Sequence, residues 1–310
     1  MNALTLSRAY FEAVALPSLR ARFPELLPSL AAGLVGNGSE CFGFDDEISR
    51  DHDWGVDFFV WVPESLRAQL PNLAAWKQDL LAARPPDFPR TRSEYGARVG
   101  VETVGDFYKS LVGAPEGPQT LAEWIAAPEE NLAMSVNGAV FLDNAGEFTR
   151  IRARLLGFMP EDLRMKRLSY RCMTLAQAGQ YNFDRSLRRG DLVAARAALS
   201  RFTDAAIETV FLLNRRYCPY YKWRFRAMLE LGAPASALAD DLRLLADAKL
   251  STEPDAARAA IERVCKILAQ TLRQAGLCAS DGDFLTTQGE ELRARITTPA
   301  LRDLPAQYSI

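Results

Sequence analysis

The chain has 310 residues, 48% hydrophobic and 25% charged, and its 37 basic and 39 acidic residues leave a formal net charge of −2. That length suits two domains of ordinary size, and so balanced a charge makes no bulk electrostatic case for a nucleic-acid partner. No uncharged apolar run is long enough for a transmembrane helix, residues 1–10 lack the basic-then-apolar order of a signal peptide, and five scattered cysteines without a Cys-x-x-Cys pair point to neither zinc nor a disulfide framework, but to a reduced cytoplasm.

In chain order, Leu4, Leu6, Ala9, Phe11 and Val14 predict a short helix, and Pro17 and Pro24 interrupt the segment after it. Residues 25–35 read as a helix or buried turn whose end, Ala31–Val35, is the only place for a first strand. Next comes Gly36-Asn37-Gly38-Ser39-Glu40-Cys41-Phe42-Gly43, then Phe44-Asp45-Asp46-Glu47-Ile48-Ser49-Arg50-Asp51-His52-Asp53-Trp54-Gly55. Glycine has no Cβ to block backbone N–H groups from a phosphate, which makes Gly36, Gly38 and Ser39 candidates for a phosphate loop. Asp51 and Asp53, two apart, point to one face if they enter a strand, and two carboxylates on one face suit Mg²⁺. Asp45, Asp46 and Glu47 read as a solvated acidic loop. His52, the only histidine, alternates with the two aspartates and reads as structural.

Val56–Val62 predicts a strand buried on both faces, with Asp57 on the parity of Asp51 and Asp53. It faces solvent as a strand-start acid or joins the site as an alternative third carboxylate. A helix is predicted over 64–83, a loop at Pro85-Pro86, a strand over 99–104 carrying Glu102, helices over 105–112 and 119–136, and a short strand, Ala139–Asp143. Beyond Phe148 only helices are predicted, over 148–156, 160–189, 191–214, 219–231, 235–249 and 254–277, so a domain boundary is expected between 143 and 160. In the segment Tyr217-Cys218-Pro219-Tyr220-Tyr221-Lys222-Trp223-Arg224, aromatics interleaved with cations either stack a base and bind phosphate or simply pack a helix corner.

Gly38-Ser39, Gly43 and Ser49-x-Asp51-x-Asp53 together resemble the signature of the nucleotidyltransferase superfamily related to DNA polymerase β, and the phrase from Gly43 to Gly55 resembles a bacterial branch described as a domain of unknown function. The gap from Ser39 to Asp51 is about one residue longer than usual, and Phe42 and Phe44 flank Gly43 where a basic residue is common. The resemblance implies an α+β chain: a small mixed-sheet nucleotidyltransferase domain, residues 1–148, then an α-helical bundle, residues 149–310. It implies two Mg²⁺ ions held by Asp51, Asp53 and Glu102, with Gly38, Ser39, Tyr217 and Lys222 binding ATP or another nucleoside triphosphate. The implied activity is Mg²⁺-dependent transfer of a nucleotidyl group, AMP from ATP, to a hydroxyl of a small molecule or protein; the near-neutral charge argues against a nucleic-acid acceptor and the lack of a long apolar run against a membrane. The alternative is a non-catalytic protein that binds a nucleotide or partner on the same fold; Glu102 discriminates, since catalysis needs it or Asp57 beside the two aspartates.

Overall fold

The computed structural model describes residues 2–51, 53–91 and 99–310. It is a mixed α+β structure, mostly helical, with one small four-stranded sheet. The chain divides into two compact units, Met1–Phe158 and Met159–Ile310.

The first unit opens with α1 (Ala3–Tyr10), capped by the Asn2 side chain, which accepts a hydrogen bond from the Thr5 N–H at 2.9 Å. A π-helical turn, Phe11–Ala15, leads into α2 (Leu16–Arg22). The strands are β1 (Ala31–Leu34), β2 (Phe59–Val62), β3 (Val101–Thr103) and β4 (Ala139–Asp143), in the spatial order β3-β2-β1-β4. β1 runs antiparallel to both β2 and β4, and β3 runs parallel to β2. β1 and β2 are buried along their whole length because the sheet is covered on both faces. Val56, Phe58, Val60 and Val62 alternate onto one side, in a core shared with Tyr10, Phe11, Leu19 and Trp76. Phe59 and Trp61 turn the other way, where Phe148 stacks on Trp61 at 4.1 Å and Phe107 meets Phe59 edge-on at 5.4 Å.

Several predicted elements differ from those observed, each for a local reason. The strand predicted over Val56–Val62 shrinks to Phe59–Val62. Before it, side chains take the backbone groups that a ladder would use: the Asp57 N–H donates to Ser7 Oγ, the Phe58 N–H to the carboxylate of Asp57, and Arg90 donates to the Val56 carbonyl. The helix predicted over 64–83 starts as a 3₁₀ turn, Glu64–Gln69, and becomes α3 (Leu70–Ala82) at Pro71, whose fixed φ suits a first helical turn. The strand over 99–104 ends at Thr103, which caps α4 (Val104–Val112) by accepting from the Asp106 N–H. The helix over 119–136 splits at Ala127-Pro128 into α5 (Leu121–Ala126) and α6 (Glu129–Val136), as the residue before proline avoids helical geometry. α7 (Glu147–Leu156) comes after β4.

The second unit has no strand among its described residues. α8 (Glu161–Leu175) runs into a π-helix, Ala176–Phe183, and α9 (Asp184–Arg188), where one continuous helix is predicted. Gly179 in the π-helix lets Phe202 of α10 (Leu192–Leu213) approach: a Cβ there would lie 2.4 Å from the phenyl ring. Asp191 caps α10 by accepting from the Ala194 N–H at 2.9 Å. α11 (Tyr221–Met228), α12 (Ala235–Ala246), α13 (Pro254–Gln274), α14 (Thr286–Ala294) and α15 (Pro299–Arg302) complete the unit.

The C-terminal segment is latched to α8. Asp162 accepts from the Thr297 and Thr298 N–H groups and from both hydroxyls, and the buried Lys166 ammonium donates to the Pro305 carbonyl. Burial acts to raise the Asp162 carboxyl, but these four hydrogen bonds outweigh it and hold the group at about 2, against an ordinary 3.8. A depressed carboxyl contributes stability that is present above its unfolded value and lost as pH falls through the folded one. Urea melts of the wild type and Asp162→Asn are therefore expected to differ by a constant amount above about pH 4 and to converge as pH falls from about 4 toward 2; a gap that persists unchanged to pH 2 contradicts the latch.

Candidate functional site

The turn after β1 is built on two glycines with positive φ. Gly36 and Gly38 have φ of +113° and +121°, a region closed to side-chain-bearing residues, and a Cβ on Gly38 would strike the carboxylate of Glu40. Asn137 grips this turn from just before β4: its amide accepts from the Gly36 N–H and donates to the Gly36 carbonyl, both at 2.8 Å. The Gly138 N–H donates to the Cys41 carbonyl at 2.7 Å, and Arg152 of α7 holds the Asn137 carbonyl at 2.7 Å. Ser39 opens a 3₁₀ turn, Ser39–Phe42, closed by Gly43 in left-handed geometry.

In the acidic loop Asp46 and Glu47 are exposed, as a solvated loop requires, while Asp45 is half-buried. Asp45 accepts from the Ala3 N–H at 2.8 Å and from the Trp54 indole at 2.9 Å, so it closes the start of α1. Asp46 accepts from the Ser49 N–H and hydroxyl in a local turn. Asp51 ends a 3₁₀ helix, Ile48–Asp51, and is exposed. Asp53 has φ +49°, a conformation asparagine and aspartate tolerate better than most residues. The strand alternation that would put Asp51 and Asp53 on one face is therefore absent, and His52 lies outside the described residues.

Asp53 lines a narrow pocket with Glu40, Trp54, Asp57, Arg90 and Leu34. Its free interior is about that of one water molecule. Asp57 is neither a solvent-facing acid nor a free ligand. It is buried, paired with Lys77 of α3 at 2.8 Å and with Arg90. Lys77 also donates to the Val99 carbonyl at 3.3 Å, and its ammonium stands 5.4 Å over the Phe58 ring. Burial pushes the Lys77 ammonium below its ordinary value; Asp57 opposes that shift and Arg90 adds to it.

Glu102 sits on β3, level with Trp61 of β2. It has no hydrogen bond or ion pair among the described residues, and desolvation, helped by Asp106, pushes its carboxyl up to about 7. Among the described residues no group of three or more His, Cys, Asp or Glu side chains is arranged to hold a metal ion. Asp51, Asp53 and Glu102 thus form no ready ligand set as placed, and Asp57 does not complete one. Among the described residues no ready-made site for the two ions that the resemblance implies is therefore seen.

Tyr217 and Lys222 belong to the second unit. Tyr217 is buried; Lys222 is exposed, its ammonium 5.1 Å from the Trp223 ring. Glu208, also in the second unit, is held by Arg171 at 2.8 Å and by Arg224 at 2.9 Å. Sequence reasoning missed Glu40, Arg90 and Asn137. Asn137-Gly138 reads as an ordinary strand-bounding turn, and nothing local marks Arg90 as the partner of an acid thirty-three residues earlier.

A family model described as a domain of unknown function (DUF4037) matches residues 124–224, about a third of the chain. The match takes in β4, α8 and the segment around Tyr217 and Lys222 and leaves the Gly-Ser and Asp-x-Asp stretches outside it. A search of curated proteins and a search of solved structures each found no match. Among the described residues no helix is long and apolar enough to cross a membrane.

Two measurements check this geometry. Asp57→Ala leaves two buried cations without their anion and is expected to cost about 3–5 kcal/mol of unfolding free energy in urea melts; a change inside about 0.5 kcal/mol, typical of a surface site, refutes the role. A carboxyl raised on folding is penalised once ionised, so stability falls as pH rises from the ordinary 4.5 to about 7 and levels off beyond. Glu102→Gln is expected to flatten that decline, and Asp106→Asn to move its midpoint down; a profile that neither variant alters contradicts the assignment.

Proposed function

We propose that the first unit is a nucleotidyltransferase that moves a nucleotidyl group, AMP from ATP, onto a hydroxyl of a small molecule or protein. The observation that carries this reading is the sheet order. β1 leads into the positive-φ Gly36-Asn37-Gly38-Ser39 turn, β2 comes after the Asp51-x-Asp53 stretch, and β3, which bears Glu102, lies parallel beside β2. The resemblance asks for a glycine-serine turn, two acids entering a strand and a third acid on a strand next to it; the order along the chain is kept, although residues 54–58 separate Asp53 from β2. In the reaction the acceptor hydroxyl loses its proton to solvent as its oxygen bonds to the α-phosphorus, the bond from that phosphorus to the oxygen bridging to the β-phosphorus breaks, and pyrophosphate leaves. Mg²⁺ and the nucleotide belong to this reading through the resemblance alone.

A second reading has its own support. The described carboxylates do not converge, and Asp57 is neutralised by Lys77 and Arg90, which favours a protein that binds a nucleotide or partner without turnover.

The test is a thermal-shift series with ATP, GTP, CTP and UTP, with and without Mg²⁺, on the wild type and the Asp51→Asn/Asp53→Asn double variant, then a pyrophosphate-release assay. A ligand that binds only the folded state raises Tm with its occupancy. The transferase reading expects a Mg²⁺-dependent shift with at least one nucleotide, lost in the variant, and pyrophosphate release once an acceptor is supplied. A shift indifferent to Mg²⁺ and to the variant supports binding alone. No shift with any nucleotide defeats the transferase reading and leaves only a fold that binds a partner other than a nucleotide.

A further inference from the structure

The second unit holds a cleft that the transfer reading does not use. It lies where the start of α10 meets the corner between α12 and α13, and it is lined by Leu192, Arg196 and residues 248–252. Its volume, about 440 Å³, suits a small molecule. The corner that forms one wall is fixed. The Thr252 and Glu253 N–H groups both donate to the Lys249 carbonyl, at 3.1 and 2.8 Å. Arg196 donates to the Ala248 carbonyl at 2.8 Å, which ties the corner to α10, and the Leu250 side chain is buried.

The lining carries positive charge that nothing beside it neutralises. Arg196 and Lys249 are exposed, and neither has a carboxylate partner among the described residues. Arginines on the two helices that the corner joins behave differently: Arg243 of α12 holds Asp240 at 2.9 Å, and Arg258 and Arg263 of α13 hold Asp184 at 2.8 Å and Asp241 at 2.6 Å. The exposed acids Asp247 and Glu253 flank the corner in sequence but do not line the cleft. Ser251 and Thr252 do line it, and their hydroxyls make no hydrogen bond among the described residues. A solvated helix corner accounts for Lys249, Ser251 or Thr252 singly. It does not account for two unneutralised cations and two unused hydroxyls on one concave surface.

We propose that this cleft binds a phosphate dianion, carried by a small ester or free in solution, through Arg196, Lys249 and the two hydroxyls. A guanidinium presents its donors in a planar fork that matches phosphate oxygens, and an ammonium and hydroxyls donate to the oxygens that remain. A phosphate monoester carries a charge of about −1.5 to −2 at neutral pH, which answers two cations where a single carboxylate answers one. Leu192, 44% exposed, adds an apolar wall that suits the organic part of an ester and that a bare ion leaves unused. The inference stands apart from the transfer reading, because it uses residues of the second unit alone.

The test titrates the full-length chain with phenyl phosphate, with inorganic phosphate and, as the uncharged control, with phenol, by isothermal calorimetry at two salt concentrations. Phosphate binding without phenol binding is expected, weaker at the higher salt. Arg196→Gln and Lys249→Gln are each expected to weaken it about tenfold or more. The Lys249 side chain has no hydrogen bond or ion pair among the described residues, so Lys249→Gln should leave Tm unchanged, which separates a lost ligand contact from a lost fold. Asp51→Asn/Asp53→Asn is expected to leave the binding intact. Phenyl phosphate bound more tightly than inorganic phosphate, with that advantage lost in Leu192→Ser, assigns the site to an ester; equal binding of the two assigns it to the free anion. Failure of both phosphates to bind, binding indifferent to both cation variants, or binding lost in the aspartate variant overturns the proposal, the last by returning the ligand to the first unit.

Discussion

The first unit depends on a buried anion shared by two cations. Asp57 lies just before β2, Lys77 on α3 and Arg90 in the segment that bridges back to Gly55. Each side chain buried alone would be costly, so the three are stable only together. The same carboxylate takes the Phe58 N–H, and the Asp57 N–H goes to Ser7 on α1. Helix, strand and loop thus meet at one charge, and that meeting sets where β2 begins and which way Phe58 and Phe59 turn. An apolar replacement of similar volume would keep the core but lose the directional bonds that fix this register.

That arrangement bears directly on the chemistry open to the site. An acid neutralised by two cations has little left to offer a metal ion, and it stands in the pocket that Asp53 and Glu40 also line. Glu102, by contrast, carries no compensating partner among the described residues, and its carboxyl is raised accordingly. The two acids nearest to being a third ligand therefore differ in kind: one engaged by cations, the other held near neutrality by desolvation. Burial and partner, not residue type, separate them.

The second unit uses buried charge to hold turns in place. α8 carries Arg164, Lys166 and Arg167 among its buried residues. Arg164 reaches the Leu212 carbonyl at the end of α10, and Lys166 reaches the Pro305 carbonyl of the C-terminal segment. Glu208 ties α8 to the turn before α11. Long cationic side chains suit this work, because their stems pack as apolar surface while their ends reach carbonyls that a helix terminus or a loop leaves open.

By itself the sequence determined the coarse α+β character of the fold and several of the places where the chain turns. A continuous apolar run marked β2, the glycines marked the turn after β1, and the apolar stripe from residue 192 marked α10, whereas the breaks at Pro71 and Pro128 inside two predicted helices appeared only in the structure. The candidate acids and glycines were legible as residue types. Only the tertiary structure decided what each acid does. Asp57 became an ion-pair centre because Lys77 and Arg90 arrive from distant segments, Asp45 became a helix cap because α1 starts beside it, and Glu208 became an anchor because two arginines converge on it. The turn after β1 is held by an asparagine about a hundred residues away. A carboxylate's role is set by the charges and donors within a few ångströms of it, and in a folded chain those come from sequence positions that no local pattern connects.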